Sequence, residues 1–323
     1  MTAITATSEN GVRTSAFARL REALRGDDAL TTAWGAVIVF VTPALLTYAA
    51  FTAYPVIRTF WNSVHIIRPG GRTEFVGLDH YVELFSNDDI FFRAVSNTLT
   101  WAGVAPLIDV GVGLLLALCL YAKVPFARVF RVAWFTPVLI SYVVVAILWM
   151  WIYNYDWGVA NMLLRSVGLQ EWQQTWIGHP DTALWSLIFA HAWKWAGFNM
   201  VVCLAAIHAL PREVLEAAEL DNCGWFQKLI FIIVPMIRPT LVNLLILAFI
   251  GKMRVFDLVW IMTGGGPMWS TETVSTYVYK RAFEWNTFDL GYPSTVAAIW
   301  FIVVLCCVLG LTWLFRQRDR LEY

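Results

Sequence analysis

Six long apolar segments constrain this chain more than any other feature. Each is long enough to cross a hydrocarbon layer about 30 Å thick. Because an unpaired backbone N–H or C=O group costs several kcal/mol in lipid, each segment is predicted to be a helix. The fold class is therefore all-α, a polytopic membrane protein with six transmembrane helices. The predicted spans are approximately Trp34–Phe60, Ala94–Tyr121, Val132–Tyr153, Ala183–Leu210, Met236–Met262 and Tyr292–Phe315.

Composition excludes several other classes of protein. Hydrophobic residues make up 59% of the chain and charged residues 14%, and the formal net charge is zero. An ordinary soluble domain carries more charge, and a nucleic-acid-binding protein carries a basic excess. Of the five cysteines, four lie in apolar segments and Cys223 lies in a polar connection, so the sequence shows no disulfide framework.

The Lys and Arg residues outside the spans are unevenly divided between the two sides of the membrane. Thirteen lie on one side and seven on the other, and the richer side of a membrane protein faces the cytoplasm. Both termini and the connection between the fourth and fifth spans are therefore predicted to be cytoplasmic. The thirteen are Arg13, Arg19, Arg21, Arg25, Lys123, Arg128, Arg131, Arg212, Lys228, Arg238, Arg316, Arg318 and Arg320.

The predicted organisation has three parts: a cytoplasmic segment 1–33, a six-span domain 34–315 and a cytoplasmic tail 316–323. The first part lacks the apolar core and cleavage site of a removable signal peptide. Phe17, Leu20 and Leu24 recur at helical spacing among arginines, which suits either a helix on the membrane surface or a solvated tail.

The polar connection 211–235 between the fourth and fifth spans is the most informative part of the chain. Pro211 suits a first helical position, and Asn222 and Gly224 tolerate the left-handed conformation that ends a helix. Two short helices are predicted here. The pattern alone leaves open whether they bind a partner or form an ordinary amphipathic connector. One helical face carries Val214, Ala217, Ala218 and Asp221.

Residue identities in this connection point to a family. The run Glu216-Ala217-Ala218, then Asn222, and a closing Val234-Pro235 resembles the conserved cytoplasmic loop of permease subunits of binding-protein-dependent ABC importers. Asn222 stands where that family has glycine. Further motifs resemble the carbohydrate-importer branch and its maltose or glycerol-phosphate first-permease type. They are Gly77-Leu78-Asp79-His80-Tyr81, Asn97-Thr98, Phe135-Thr136-Pro137, Trp157-Gly158 with Asn161, and Thr263-Gly264-Gly265-Gly266-Pro267.

The resemblance implies a coupling helix that enters a cleft on a cytoplasmic ATPase dimer. The coupling residues it implies are Glu216, Ala217, Ala218, Asp221, Asn222 and Gly224. It also implies a second permease subunit as heterodimer partner, an external solute-binding protein, and a location in a bacterial inner membrane, surrounded by lipid. Nucleic acid is not an expected partner.

The chain itself shows no sequence signal for catalysis or cofactor binding. Gly251-Lys252 is followed by Met253 instead of the Ser or Thr of a phosphate-binding loop, so ATP is expected on a partner subunit and not here. The five histidines lack metal-ligand spacing. We therefore expect no enzyme activity, no catalytic residue, no metal and no cofactor in this subunit.

Polar groups inside the spans are the candidates for a substrate pathway, because such groups are costly in lipid. The fourth and fifth spans are favoured as the lining of the pathway. Structural explanations of their charged groups are also open: Arg254 and Asp257 could neutralise each other across a helical turn, and Lys252 could snorkel outward. The predicted pathway residues are Asn97, Trp193, Trp195, Asn199, Asn243, Arg254 and Asp257; Asp109, His191, Lys194 and Lys252 are also polar groups in spans.

The sequence is compatible with two functions. The first is a permease of an ATP-driven importer for a sugar or sugar-like solute. The alternative is an ion-coupled secondary transporter of a small polar solute, which needs buried carboxylates and an inverted repeat. The sequence does not specify the solute among sugars, polyols and sugar phosphates.

Overall fold

A computed structural model describes residues 34–68, 70, 72–122, 124–285 and 289–319. The chain divides into two units, Met1–Thr59 and Phe60–Tyr323. The predicted surface helix or tail at 1–33 lies outside the described residues, as do residues 320–323 of the predicted C-terminal tail.

The first unit contains most of the first span. Helix α1 (Trp34–Tyr48) continues through a π-helical turn (Ala49–Ala53) into α2 (Tyr54–Asn62), whose last residues belong to the second unit. Large apolar side chains such as Phe40 and Phe51 are exposed. Exposure of this kind is expected of a helix that is solvated by lipid.

The second unit is almost entirely helical in the ranges that the structure describes. A hairpin, β1 (His65–Arg68) and β2 (Arg72–Phe75), comes first. The helices that follow are α3 (Asp79–Asn87), α4 (Asp89–Tyr121), α5 (Ala127–Leu139), α6 (Tyr142–Ile152), α7 (Val159–Ser166), a 3-10 turn (Gln170–Trp172), α8 (Pro180–His208), α9 (Arg212–Leu220), α10 (Trp225–Lys228), a π turn (Leu229–Ile233), α11 (Val234–Met236), α12 (Arg238–Lys252), α13 (Asp257–Met262), α14 (Val274–Phe283) and α15 (Gly291–Asp319).

Among the described residues, four helices are long and apolar enough to cross a membrane, and six spans result if two bent helix pairs each count as one. The pair α5 and α6 is bent by 107°, so the predicted third span is not the continuous helix expected from hydropathy. The predicted fifth span is also interrupted, because α12 ends at Lys252 and α13 begins at Asp257.

Helices α4 and α8 form the centre of the second unit and approach each other closely. A Cβ atom on Gly113 would lie 2.4 Å from the Asn199 Cβ, so this contact requires a glycine. A Cβ atom on Gly197 would lie 1.9 Å from the Trp134 carbonyl oxygen of α5. Trp101, Leu187 and other fully buried side chains fill the space around these contacts.

The β1–β2 hairpin, which the sequence did not predict, is fixed to the start of the last span. Its strands are antiparallel, with His65 opposite Phe75. The Asp289 carboxylate accepts hydrogen bonds from the backbone N–H groups of Ile67 and Gly291, both at 2.8 Å. One side chain therefore joins the first outer connection to the N-terminus of α15.

Candidate functional site

The predicted coupling residues lie on the polar connection 211–235, and most of them are exposed. Glu216 and Ala217 on helix α9 are exposed, as is Asp221 directly after its end. Ala218 is only 5% exposed, because it lies on the same side of α9 as Leu215, which packs against the core. The exposed face is therefore narrower than the sequence pattern predicts, and Ala217 is its only alanine.

Asn222 closes α9 with a backbone geometry that normally favours glycine. Its φ angle is 53°. The Cys223 N–H donates to the Ala218 carbonyl at 3.0 Å, and the Asn222 N–H donates to the Glu219 carbonyl at 3.1 Å. These two hydrogen bonds define a Schellman motif with Asn222 in the left-handed position. The turn is therefore at the position of the family glycine, and Gly224 instead precedes α10 as its N-cap.

A salt bridge joins the two short helices of this connection. The Lys228 Nζ lies 2.6 Å from the Glu219 Oε1. Glu219 is therefore engaged inside the connection, whereas the Glu216 carboxylate is exposed on α9. This arrangement leaves Glu216 as the more accessible of the two for a partner's basic group.

Asn222→Val is expected to destabilise the connection. A β-branched residue is strained at positive φ, at a cost of about 1–2 kcal/mol, and the thermal unfolding midpoint of the purified protein should fall by roughly 2–6 °C. Asn222→Gly is the control and should equal or exceed the wild type. A Val variant with the wild-type midpoint would contradict this account of the turn.

A buried ion pair lies at the centre of the second unit. The Lys252 Nζ of α12 lies 2.5 Å from the Asp109 Oδ2 of α4, and the two side chains are 7% and 0% exposed. Lys252 therefore does not snorkel outward, contrary to one of the sequence-based explanations. The other Asp109 oxygen, Oδ1, is buried and has no hydrogen-bond partner among the described residues.

Aromatic and imidazole groups surround this pair. Tyr142 accepts a hydrogen bond from Trp195 Nε1 at 2.8 Å and lies 3.3 Å from His191 Nε2 through its hydroxyl oxygen. The Trp195 ring centroid is 5.8 Å from the Lys252 Nζ. His191 Nδ1 is buried, and no described residue forms a hydrogen bond with it. Buried polar groups without partners are rare in folded proteins, which makes this region a candidate site.

Lys194 has a structural role at the bend between α5 and α6 that could not be predicted from the sequence. Its Nζ donates to the carbonyl oxygens of Pro137 at 3.0 Å, Val138 at 3.1 Å and Ile140 at 2.5 Å. These carbonyls lie at the sharp bend between α5 and α6, where the last carbonyls of a helix lack intrahelical partners, although the Pro137 oxygen also accepts from the Ile140 N–H at 3.3 Å. Lys194 thus compensates for the interruption of the third span.

The interruption of the fifth span borders a small cavity of about 110 Å³. Arg254 and Asp257 line it from the non-helical stretch and the start of α13, facing Tyr142 and His191. Both charged residues are exposed. No salt bridge between them occurs among the described residues, and they are not on one helix. The expectation that they neutralise each other across a helical turn is therefore wrong.

The remaining predicted pathway residues occupy four different settings. Asn97 Nδ2 donates to the backbone oxygens of Trp269 at 3.0 Å and Glu272 at 2.9 Å, so its amide positions an outer loop. Trp193 packs edge-on against Trp149 in the core. Asn199 is buried against Gly113, and Asn243 is exposed on α12.

A second polar cluster joins the outer connections to the bundle. The Asp88 carboxylate caps α4 by accepting from the Phe91 N–H at 2.9 Å, and it accepts from the hydroxyls of Tyr277 and Tyr292. Burial favours the neutral carboxyl, but these hydrogen bonds and the Arg281 charge outweigh it and lower the pKa of Asp88. Asp88 therefore carries its charge throughout the physiological pH range.

The second outer connection is organised by Asn161. Its side chain accepts from the indole N–H of Trp176 at 2.9 Å and donates to the backbone oxygens of Tyr155 and Gln174. Asn161 is fully buried. The Trp157-Gly158 motif with Asn161 thus has a structural role in the loop. Among the described residues, no group of His, Cys, Asp and Glu side chains has the geometry of a metal site.

Known proteins resemble this chain over most of its length. A probable ABC transporter permease protein of Bacillus subtilis is 33% identical, over 84% of this chain and 92% of its own length. The lactose transport system permease protein of Rhizobium radiobacter is 32% identical, over 87% of this chain and 94% of its own.

The fold and the family are supported by two further findings. In the crystal structure of a bacterial alginate ABC transporter with an alginate pentasaccharide-bound periplasmic protein, one chain matches with a TM-score of 0.76 and 26% identity. The match covers 90% of this chain and 96% of that chain. Residues 109–321 match the family of binding-protein-dependent transport system inner membrane components. This range contains the turn at Asn222 and the buried ion pair, and the chain belongs to that family.

Proposed function

We propose that this chain forms, with a second similar permease, the membrane pathway of an ATP-driven importer for a sugar or sugar-like solute. The observation that carries the proposal is the exposed Glu216 helix, closed at Asn222, in a member of this family. ATP hydrolysis belongs to a separate subunit, a cytoplasmic ATPase dimer. An external binding protein delivers the solute, and both termini of this chain face the cytoplasm.

The names of the similar proteins support a carbohydrate as the solute. One relative carries lactose in its name, another from Thermococcus litoralis carries trehalose and maltose, and the similar transporter structure contains an alginate pentasaccharide on its periplasmic protein. Membership of the family favours ATP as the energy source over the ion gradient of the alternative function. The particular sugar is a separate question for ligand binding to the external protein.

Glu216→Lys tests the proposed coupling role. Because Glu216 is exposed, the substitution should alter folding stability by less than about 0.5 kcal/mol. A charge-assisted contact with the ATPase contributes about 1.5–3 kcal/mol, so ATP-driven uptake should fall roughly tenfold or more. The measurements are uptake of labelled sugar in proteoliposomes and the yield of ATPase that copurifies.

Glu171→Lys is the matched control, since it makes the same change at an exposed glutamate in the second outer connection. It should leave copurification and the rate of ATP hydrolysis unchanged. If Glu216→Lys retains wild-type uptake and a wild-type yield of ATPase, the coupling role is wrong.

The pathway itself is proposed to pass the interruption of the fifth span. The cavity there is about 110 Å³, which is smaller than the roughly 300–1,000 Å³ of ligand pockets. A solute site therefore needs walls from the second permease, and the exposed side chains on this surface suit that arrangement. Of the predicted pathway residues, Arg254 and Asp257 line this cavity. A lining role for the others stays a prediction: Asn97, Trp193, Trp195, Asn199 and Asn243.

A further inference from the structure

A second, larger recess lies in the third outer connection, between α13 and the end of α14. Its volume is about 510 Å³, within the range of small-molecule sites. It is separate from the membrane cavity at the interruption of the fifth span. The residues that line it include Met268, Trp269, Lys280, Glu284 and Trp285. We call it the outer recess.

Two indole rings form an aromatic corner in the outer recess. The ring centroids of Trp269 and Trp285 are 5.7 Å apart, and their planes are inclined by 72°. Trp285 is held by an edge contact with Tyr277 at 5.7 Å and by the Arg281 guanidinium at 5.1 Å. The backbone oxygen of Trp269 accepts from Asn97. The corner is therefore positioned before any ligand arrives, which reduces the entropic cost of binding.

The charges around the outer recess do not favour an anionic ligand. The Lys280 Nζ lies 2.5 Å from the Glu272 Oε2, and both side chains are buried. This pair is neutral overall, and Glu284 adds a carboxylate at the rim. The three side chains together carry one negative charge. Arg281 beside Trp285 is paired with Asp88, and Arg93 donates to the Met268 carbonyl oxygen at 3.5 Å. Among the described residues there is therefore no excess of positive charge here to hold a carboxylated or phosphorylated sugar.

Lys280 still offers hydrogen-bond donors to the outer recess. An ammonium group has three N–H donors. The contact with Glu272 uses one of them, and the Nζ also lies 4.8 Å from the Trp269 ring centroid. The Glu284 carboxylate supplies acceptors. Donors and acceptors beside two aromatic faces suit the chemistry of a pyranose ring, which has hydroxyl groups on its edge and an apolar C–H face.

We propose that the outer recess is an entry subsite for one uncharged sugar ring, used before the solute reaches the membrane pathway. This inference rests on the proposed function, because it assigns a second sugar contact to the same transporter. The sugar ring stacks on the face of Trp269 that the Lys280 ammonium does not cover, and it forms hydrogen bonds with Lys280 and Glu284. Selectivity for uncharged sugars follows from the carboxylate at the rim.

The test uses the assembled importer complex, purified in lipid nanodiscs without the external binding protein. Saturation-transfer NMR measures binding of three neutral probes, maltotriose, lactose and raffinose, and of trigalacturonate as the carboxylated probe. At least one neutral probe should bind and trigalacturonate should not. In Trp269→Ala, binding of the neutral probe should weaken roughly five- to tenfold.

Two further variants control for folding and for the aromatic character of the site. Trp269→Phe keeps an aromatic face and should retain most of the binding. Trp172→Ala removes an indole that is 69% exposed in the second outer connection, and it should bind like the wild type. Thermal midpoints measured on all variants distinguish a lost ligand contact from a lost fold.

Several outcomes would overturn the inference. They are equal binding by wild type and Trp269→Ala, binding of none of the neutral probes, or equal binding of trigalacturonate. If Trp269→Ala instead weakens only the affinity for the external binding protein, the outer recess is a protein-docking surface. Sugar uptake by the wild type, measured in parallel, keeps the proposed function separate. If the wild type takes up sugar and Trp269→Ala binds the neutral probe as the wild type does, only the subsite is rejected. If the wild type takes up no sugar, the proposed importer function is rejected.

Discussion

Lys194→Met is expected to cause a large loss of stability in this protein. Three carbonyl oxygens at the bend between α5 and α6 accept hydrogen bonds from the Lys194 Nζ. Methionine fills a similar volume but donates nothing. The Pro137 oxygen keeps the Ile140 N–H, whereas the Val138 and Ile140 oxygens lose the lysine donor. At about 1–3 kcal/mol for each carbonyl that loses its partner, the free energy of unfolding should fall by about 2–6 kcal/mol.

The measurement is the thermal unfolding midpoint of the purified protein, which should fall by roughly 10 °C. Lys194→Arg retains donors at the bend and should recover part of the loss. The matched control is Lys228→Met, which removes a lysine whose partner Glu219 is 70% exposed and should cost less than about 1 kcal/mol. Equal midpoints for Lys194→Met and Lys228→Met would show that the bend does not depend on Lys194.

This lysine also illustrates what the sequence can and cannot predict. Hydropathy places the fourth span at Ala183–Leu210, and helix α8 runs over Pro180–His208. The span is predictable because it depends on the local apolar character of one segment. The interruption of the third span is not predictable in this way, because the Lys194 donor that permits it lies 57 residues beyond Pro137. The local sequence around Pro137 contains no signal for that contact.

The turn at Asn222 and the region around the Asp109–Lys252 pair also differ in how far the sequence predicts them. The helix end at Asn222 was predictable, because the residue type and its φ angle are local properties. The sequence marked Asp109 and Lys252 as costly polar groups in spans, but their pairing joins residues 143 apart. The β1–β2 hairpin is similar, since Asp289 fixes it from 222 residues away. Distant partners decide these features, and a single sequence does not identify them.

The Asp109–Lys252 pair leads to the second large prediction. Removing one member leaves an uncompensated charge in a buried site, which costs about 3–5 kcal/mol. Asp109→Leu and Lys252→Met are therefore each expected to reduce the yield of monodisperse protein and to lower the thermal midpoint by roughly 10 °C. Arg254→Met removes an exposed cation a short distance along the chain, and it should change stability by less than about 0.5 kcal/mol.

The double variant separates folding from transport. Replacing a buried ion pair by apolar residues of similar volume is often neutral or stabilising by about 1–4 kcal/mol, so Asp109→Leu with Lys252→Met should recover the wild-type midpoint. Uptake should nevertheless stay low, because Lys252 contacts the face of Trp195 and precedes the stretch that lines the cavity proposed to belong to the pathway. If the double variant transports sugar at the wild-type rate, the pair serves packing alone. If the single variants are as stable as the wild type, the two side chains do not depend on each other for charge compensation.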